Sequence, residues 1–539
     1  MGNKKPPPDT FLKPFVEELQ SLGSTGMQYV NCNDDTVSCK VFALCCSTDA
    51  CARPVVKKTT QFNGRFGCDW CLHEGQVVKR GDGKSRIYLP SKEVLTLRNK
   101  AEFLSNALNS TSDNPVNGIK GVSPLVFLPV FDIVDGFVPD YLHCVLLGVV
   151  RMFAGLWFDS VNHDKPRYVK QSGASLISEN LLSLRPPSDI SRLPRSLAER
   201  KYWKGSEWKS LLLYYSLVVL PSILPSKYVK HWFLLVFAIH ALLQDSINAT
   251  DLAAAESALC EFCQDVETLY GAEFCTFNVH QLLHLCNAVR SFGPLWAFSC
   301  FRFENNIGHI LSLVRGSKCF AEQIFKSFLT RSVLPTLFAK YCSVLDMHVD
   351  VHMQRLWCSG LYLRKRKVST DSVHLYGRPG LRTLTMSESL AYNCAYSVSP
   401  GKSEFRVHDR FSCNSLYVTS ADYKQSIRNC DDTVQLSDGS FCCIARCVVG
   451  KFGCICRGVD TCDCTDTVAI FVTPLSKVFG QTAFRNSRLN LTSDRFMISC
   501  HNGGEIECIA PHTISRKCFR HRNGDSSLIV PLPTNNECD

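Results

Sequence analysis

Apolar positions fall at helical spacing at the start of the chain and through its middle, and at strand spacing after about residue 370. In DTFLKPFVEELQSL, residues 9–22, Phe11, Leu12, Phe15, Val16, Leu19 and Leu22 share one stripe. Pro14 falls in the first turn, where a missing N–H is tolerated, so an amphipathic helix is expected. Residues 41–46 are small and apolar and predict a buried central strand, with Asp49 just beyond its end. From about 120 to 270 the pattern is helical, through FDIVDGFVPDYLHCVLLGVVRMFAGLWF and the apolar stretch 211–243. In the next helix Val279, Leu282, Leu283, Cys286 and Val289 form a stripe with His280 and His284 one turn apart at its edge. A Ser-Phe-Gly-Pro break at 291–294 ends it, and a second pattern predicts Phe303, Ile307, Ile310, Leu311 and Val314 on a buried face with Glu304 beside it. Beyond 370, pieces such as DTVQLSDGSFCCIARCVV and DTVAIFVTPL alternate like strands of a small barrel or sandwich. The chain thus divides into an α/β segment over 1–115, an all-α insertion over 116–275, a helical stretch over 276–362 and a β-rich domain over 363–539.

Composition narrows the class. With 539 residues, 45% hydrophobic and 20% charged, the chain is a folded multidomain protein and not a disordered one. Its net charge of +10 leans toward an anionic partner, though many proteins without one carry as much. Thirty cysteines accompany a start, MGNKKPPPDTF, that has no apolar export signal. They are therefore expected as buried or metal-bound thiols of a reducing compartment, not as an extracellular disulfide framework. Pro6 stands where myristoylation needs Ser or Thr. Pro221, Pro225, Lys227, Lys230 and His231 cut the apolar 211–243 stretch into runs too short for a bilayer, so no membrane partner is expected.

Cys68 and Cys71 form a CxxC within the Gly-rich, aromatic FNGRFGCDWCLHEG. Such a turn aims two thiolates at one ion and is half of a tetrahedral zinc site; a redox role would want a βαβ setting that is not present. No second CxxC follows at zinc-ribbon distance, which leaves His280 and His284 as the natural other half. Asp140 and His143 stand at i, i+3 at the start of an apolar helix, either as a helix-terminal charge or beside an active site. Asp49 reads locally as a turn or cap residue. Lys79, Arg80, Lys84 and Arg86 could meet a phosphate backbone or simply be solvated. Cys454, Cys456, Cys462 and Cys464 crowd one loop in a less diagnostic spacing, and Arg-Lys-Arg-Lys at 364–367 is a nuclear-localisation patch or a linker.

Taken together, the Asp49 strand end, the CxxC knuckle, the DYLH helix start and HQLLHL running into GPLWAFSCFRFENNIGH resemble transposases of the CACTA (En/Spm-like) type over roughly residues 9–340. The order of parts is also similar to that of the catalytic subunit of the V(D)J recombinase. The resemblance implies a partial RNase H-like core, in which Asp49 is the second and Glu304 the third acid of an Asp-Asp-Glu set, with Asp140 as the alternative second acid. It implies structural Zn²⁺ on Cys68, Cys71, His280 and His284, and Mg²⁺ or Mn²⁺ for phosphodiester cleavage and strand transfer. Transposon-end DNA, a homo-oligomer and a nuclear location follow from the same family. Upstream of Asp49, Asp9 caps a helix and Asp34 and Asp35 lie in a loop, so the first catalytic Asp has no counterpart. An N-terminally truncated copy with little or no cleavage activity is therefore expected. The alternative is a non-catalytic, zinc-stapled DNA- or chromatin-interaction protein.

Overall fold

The computed structural model describes residues 7–31, 34–80, 82–90, 94–341, 366–367, 373–400, 404–423, 428–454, 464, 466–478, 480 and 482–535. The chain is mixed helix and sheet, helical first and β-rich toward its C-terminus, and it divides into two compact units. Residues up to 175 and 202–336 form unit 1; residues 176–201 and 337–535 form unit 2.

Unit 1 opens with α1 (Pro8–Ser24), followed by the hairpin β1 (Met27–Val30) and β2 (Thr36–Cys39). Then come strand β3 (Cys46–Thr48), the short helix α2 (Arg53–Lys57), the hairpin β4 (Gln76–Arg80) and β5 (Gly83–Ile87), and α3 (Lys100–Leu108), capped by Asn99. Strand β6 (Phe137–Pro139) pairs parallel to β3 in the register Cys46↔Phe137, Ser47↔Val138, Thr48↔Pro139. Asp49 and Asp140 therefore follow at the same end of two adjacent parallel strands, where side chains of α/β sheets commonly meet ligands.

After β6 the chain makes π-helical turns over Leu142–Val150 and continues as α4 (Arg151–Phe158). Two long helices follow, α5 (Ser226–Leu242) and α6 (Ala249–Tyr270), the second capped by Asn248. Their core is aromatic. Trp232 is wholly buried against Phe153 and Trp157, and its Nε1 donates to Ser216 Oγ at 2.9 Å. The helical path then runs through α7 (Phe277–Gln281), a 3₁₀ turn Leu282–His284, α8 (Leu285–Phe292), α9 (Phe301–Ser312) and α10 (Phe320–Tyr341).

Several expectations need correction. The strand expected over 41–46 begins only at Cys46, and Val41, Phe42 and Leu44 stand at the surface. Its partner β6 offers three residues, so pairing cannot start earlier. The block read as all-helical contains β6, and its residues 176–201 belong to unit 2. On α9 the stripe expected to be buried is open: Phe303, Ile307 and Leu311 are each more than half exposed, and Ile310 and Val314 only partly covered. On α1, Val16 is buried while Phe11 and Phe15 are exposed. Periodicity marks an apolar face; it does not supply the surface that covers it.

Unit 2 is built around a closed, all-antiparallel six-stranded barrel. Its strands are β7 (Thr433–Leu436), β8 (Phe441–Gly450), β9 (Thr467–Lys477), β10 (Ile498–His501), β11 (Ile514–Asn523) and β12 (Ser526–Pro531). The order around it is β7-β8-β9-β10-β12-β11 and back to β7, which removes free edges from these strands. Val434, Cys442, Ile444, Val449, Ile470 and Val472 belong to one buried cluster of this unit. The segment 176–201 is held in the unit by charge. Lys517 on β11 is buried, with Nζ 2.9 Å from Asp431 Oδ1 and paired with Asp189, and Ser188 donates to Asp431 through both N–H and Oγ. Thiols in both units, Cys144 and Cys263 in unit 1 and Cys447 and Cys518 in unit 2, are free and pushed up by burial. Among the described residues no helix is long and apolar enough to cross a membrane.

Candidate metal centre

The knuckle is shaped before any ligand is considered. A Cβ at Gly67 would sit 2.4 Å from Gln61 O, so only glycine fits just ahead of Cys68. Arg98 then gathers the turn, donating from Nε to Cys68 O at 3.0 Å and Cys71 O at 3.1 Å, and from its two Nη groups to Asn117 O and Phe66 O. Between the cysteines, Trp70 Nε1 donates to Phe137 O at 2.7 Å, which ties the knuckle to β6. Asp69 is buried and pairs with Arg53 (3.1 Å) and Lys57 (3.8 Å), both on α2 and both buried. Burial lowers the Lys57 ammonium to about 8 against the pull of Asp69. Arg53 also donates to Gln281 on α7 and to Thr48 O, so one guanidinium spans β3, the knuckle and the histidine segment.

Across from the knuckle, His280 comes from the end of α7 and His284 from the 3₁₀ turn. Cys71 Sγ lies 3.2 Å from His280 Nε2, Cys68 Sγ 3.4 Å from His284 Nε2, and the two Nε2 atoms are 3.4 Å apart. All four residues are buried, and their ligand atoms lie within 4.8 Å of one another. With zinc bond lengths of 2.3 Å to sulfur and 2.0–2.1 Å to nitrogen, a tetrahedron has S–N edges of about 3.6 Å and an N–N edge of about 3.4 Å. The cluster is thus sized to hold a metal ion such as zinc. A hydrogen bond from Cys68 lowers the Cys71 thiol against its burial, and burial lowers His280, so the ligand forms are favoured. His73, two residues beyond Cys71, packs edge-on against His280 and hydrogen-bonds Leu89 O.

A second cluster forms where β6 ends. Asp140, 1% exposed, accepts at Oδ2 from His143 N–H (2.9 Å) and Nδ1 (2.6 Å), and at Oδ1 from Cys300 N–H (2.9 Å). Burial pushes its carboxyl up, but these donors hold it below the usual range. The hydrogen bond to Asp140, then the contacts with Cys300 and Glu304, raise His143 to about 10. Its Nε2 lies 3.1 Å from Glu304 Oε1 on α9. Asp140, His143 and Cys300 also lie close enough for one ion, and Cys300 Sγ is 3.3 Å from Ser47 Oγ on β3. The helix that carries His143 passes so near α7 that a Cβ at Gly148 would lie 2.5 Å from Asn278 Nδ2.

Asp49 closes the turn that leads into α2, its Oδ1 accepting from Cys51 N–H and Ala52 N–H at 3.0 and 2.6 Å. It lines a cavity of about 360 Å³ with Asp140, His143, Arg53, Arg86 and Gln281. Asp49, Asp140 and His143 therefore face one cleft, and Glu304 reaches this group through His143. Arg86 is turned to the carbonyls of Asn63, Glu74 and Gly75, while Lys79 and Lys84 pair across the exposed β4–β5 hairpin. Of the cysteine-rich loop, Cys454 is half-buried and Cys464 exposed; Cys456 and Cys462 lie outside the described residues, as do residues 364–365 of the basic run. The sequence reading missed Cys300 and the buried Arg53-Lys57-Asp69 group. The signal for that group was present: two basic residues at i, i+4 follow Asp49, and an acid stands inside the CxxC. No protein-family model, no curated protein and no solved structure matches this chain.

Proposed function

We propose that the chain is a zinc-stapled, transposase-like DNA-acting protein with an RNase H-like site in unit 1, working in the nucleus on DNA ends as an oligomer. The observation that supports this best is the placement of Asp49 and Asp140 at the same ends of adjacent parallel strands, with Glu304 drawn to His143 beside them. In this reading zinc on Cys68, Cys71, His280 and His284 joins the segment after β3 to the one before α9, and so brings the acids into one region. Asp49 Oδ2 and Glu304 Oε2 make no hydrogen bond with the described residues, whereas both oxygens of Asp140 are taken. Asp49 and Glu304 are therefore the carboxylates fit to hold Mg²⁺ or Mn²⁺, and Asp140 orients His143. Bound divalent ions would supply charge neutralisation and an activated oxygen for phosphodiester cleavage.

One observation favours a second reading, a non-catalytic zinc-stapled DNA- or chromatin-interaction protein. Among the described residues, Asp49 is the one carboxylate lining the cleft that keeps an oxygen free. Purified full-length chain should contain about one zinc, lost in Cys68→Ser and His284→Ala. A folded protein without metal would remove the staple from both readings. A Mg²⁺-dependent nicking assay bears on the first: cleavage abolished by Glu304→Gln supports the enzyme, whereas DNA binding without cleavage fits the second reading and equally a transposase-like chain that lacks its first acid. Absence of DNA binding overturns both.

A further inference from the structure

We propose that unit 2 carries a phosphate-binding cleft between the segment at Arg185 and the face of β11 that bears Arg520 and Arg522. The cavity has a volume of about 410 Å³, and its rim includes Ser420, Tyr423 and Asp432. Arg520 and Arg522 are two residues apart on a strand and so share one face. The Arg520 guanidinium is pinned by Ser527 Oγ (2.9 Å), Cys443 Sγ (2.6 Å) and Asn502 Oδ1 (2.7 Å), all neutral acceptors. Its plane is fixed, and among the described residues no carboxylate pairs with it. Arg185 is exposed and makes no hydrogen bond or ion pair with the described residues. Among the described residues Asp432 is the one carboxylate on the lining, and it is already engaged by Arg522, Thr433 Oγ1 and Cys430 Sγ. Three guanidiniums therefore face one saturated acid.

The wall opposite β11 is held in place. Pro186 O accepts from Cys430 N–H at 3.1 Å and Asn429 Nδ2 at 3.3 Å, and Ser188 is bound to Asp431 next to buried Lys517. The cleft is thus formed without a ligand. Guanidinium forks with a hydroxyl rim suit the tetrahedral oxyanion of phosphate, and the polar lining is unsuited to an apolar ligand. The phosphate could belong to a small phosphorylated molecule or to a nucleic-acid backbone. This site is independent of the metal chemistry assigned to unit 1.

Calorimetric titration of the full chain with inorganic phosphate, and with a short single-stranded oligodeoxynucleotide, tests the assignment. Wild-type protein should bind phosphate, Arg185→Ala should weaken it roughly tenfold, and Arg185→Glu should weaken it further. Because Arg185 has no partner among the described residues, an unchanged melting temperature shows that both variants fold. If the oligonucleotide binds in a salt-dependent manner and loses affinity in the same variants, the cleft reads a backbone. Phosphate binding that responds to the variants while oligonucleotide affinity does not assigns a small phosphorylated ligand. Absence of both ligands, or binding by both variants equal to wild type, overturns the proposal.

Discussion

Histidines of unit 1 are driven in opposite directions by what surrounds them. His143 gains Asp140 as acceptor and rises to about 10, whereas burial lowers His231 and His240 to about 4 although each donates to a backbone carbonyl. For the buried pair the unfolded state binds more protons between about pH 6.5 and 4. Their neutral burial thus favours the fold above pH 6.5, and that advantage is lost as pH falls through 4. Urea unfolding across this window should show stability declining with acid, and His231→Gln, which keeps a donor for Phe262 O, should make the decline shallower. An equal slope in the variant would remove His231 as a cause. At this scale the metal cluster was legible, because CxxC and an i, i+4 histidine pair leave few other uses for four such side chains. Cys300 was not, since a lone cysteine in FSCFRF has no spacing that points to Asp140.

Among the elements, helices that bury aromatic residues are the best determined. Trp232 is enclosed by Phe153, Trp157 and the Ser216 hydroxyl, so Trp232→Ala should cost about 3–5 kcal/mol, read as a fall in the thermal midpoint. A loss below about 1 kcal/mol would mean that Trp232 on α5 is not packed against α4. Lys517→Met tests the charged anchor of unit 2. It leaves Asp431 buried beside Ser188 and should destabilise by about 3–5 kcal/mol, more than Arg446→Ala on a partly exposed pair. Element type could be read from period in α1, α5, α6, α9 and the run from α7 into α8, and in the barrel from β7 to β9, because these stretches repeat their apolar residues several times. Strands β3 and β6 were harder, since three residues carry almost no period and their identity comes from each other. Burial was harder still on α9, whose stripe is as apolar as a core helix yet faces outward.

At the level of the molecule, each unit has its own core, and among the described residues the four-residue cluster able to hold a metal lies in unit 1. Calorimetry should therefore resolve two transitions, of which a strong chelator shifts one to lower temperature and leaves the other. A single transition that moves as a whole would show the units to be energetically inseparable. Hydropathy located the β-rich domain but not its second piece, because nothing in residues 176–201 announces a partner so distant in sequence. Synthesis gives that piece a history of its own. Ser188 leaves the ribosome 329 residues before Lys517. At roughly 5–20 residues per second this leaves the segment without its acceptor for on the order of tens of seconds. During translation, then, a strap of the finished barrel is an exposed loop, and a protease or chaperone acting on nascent chains would meet it there first.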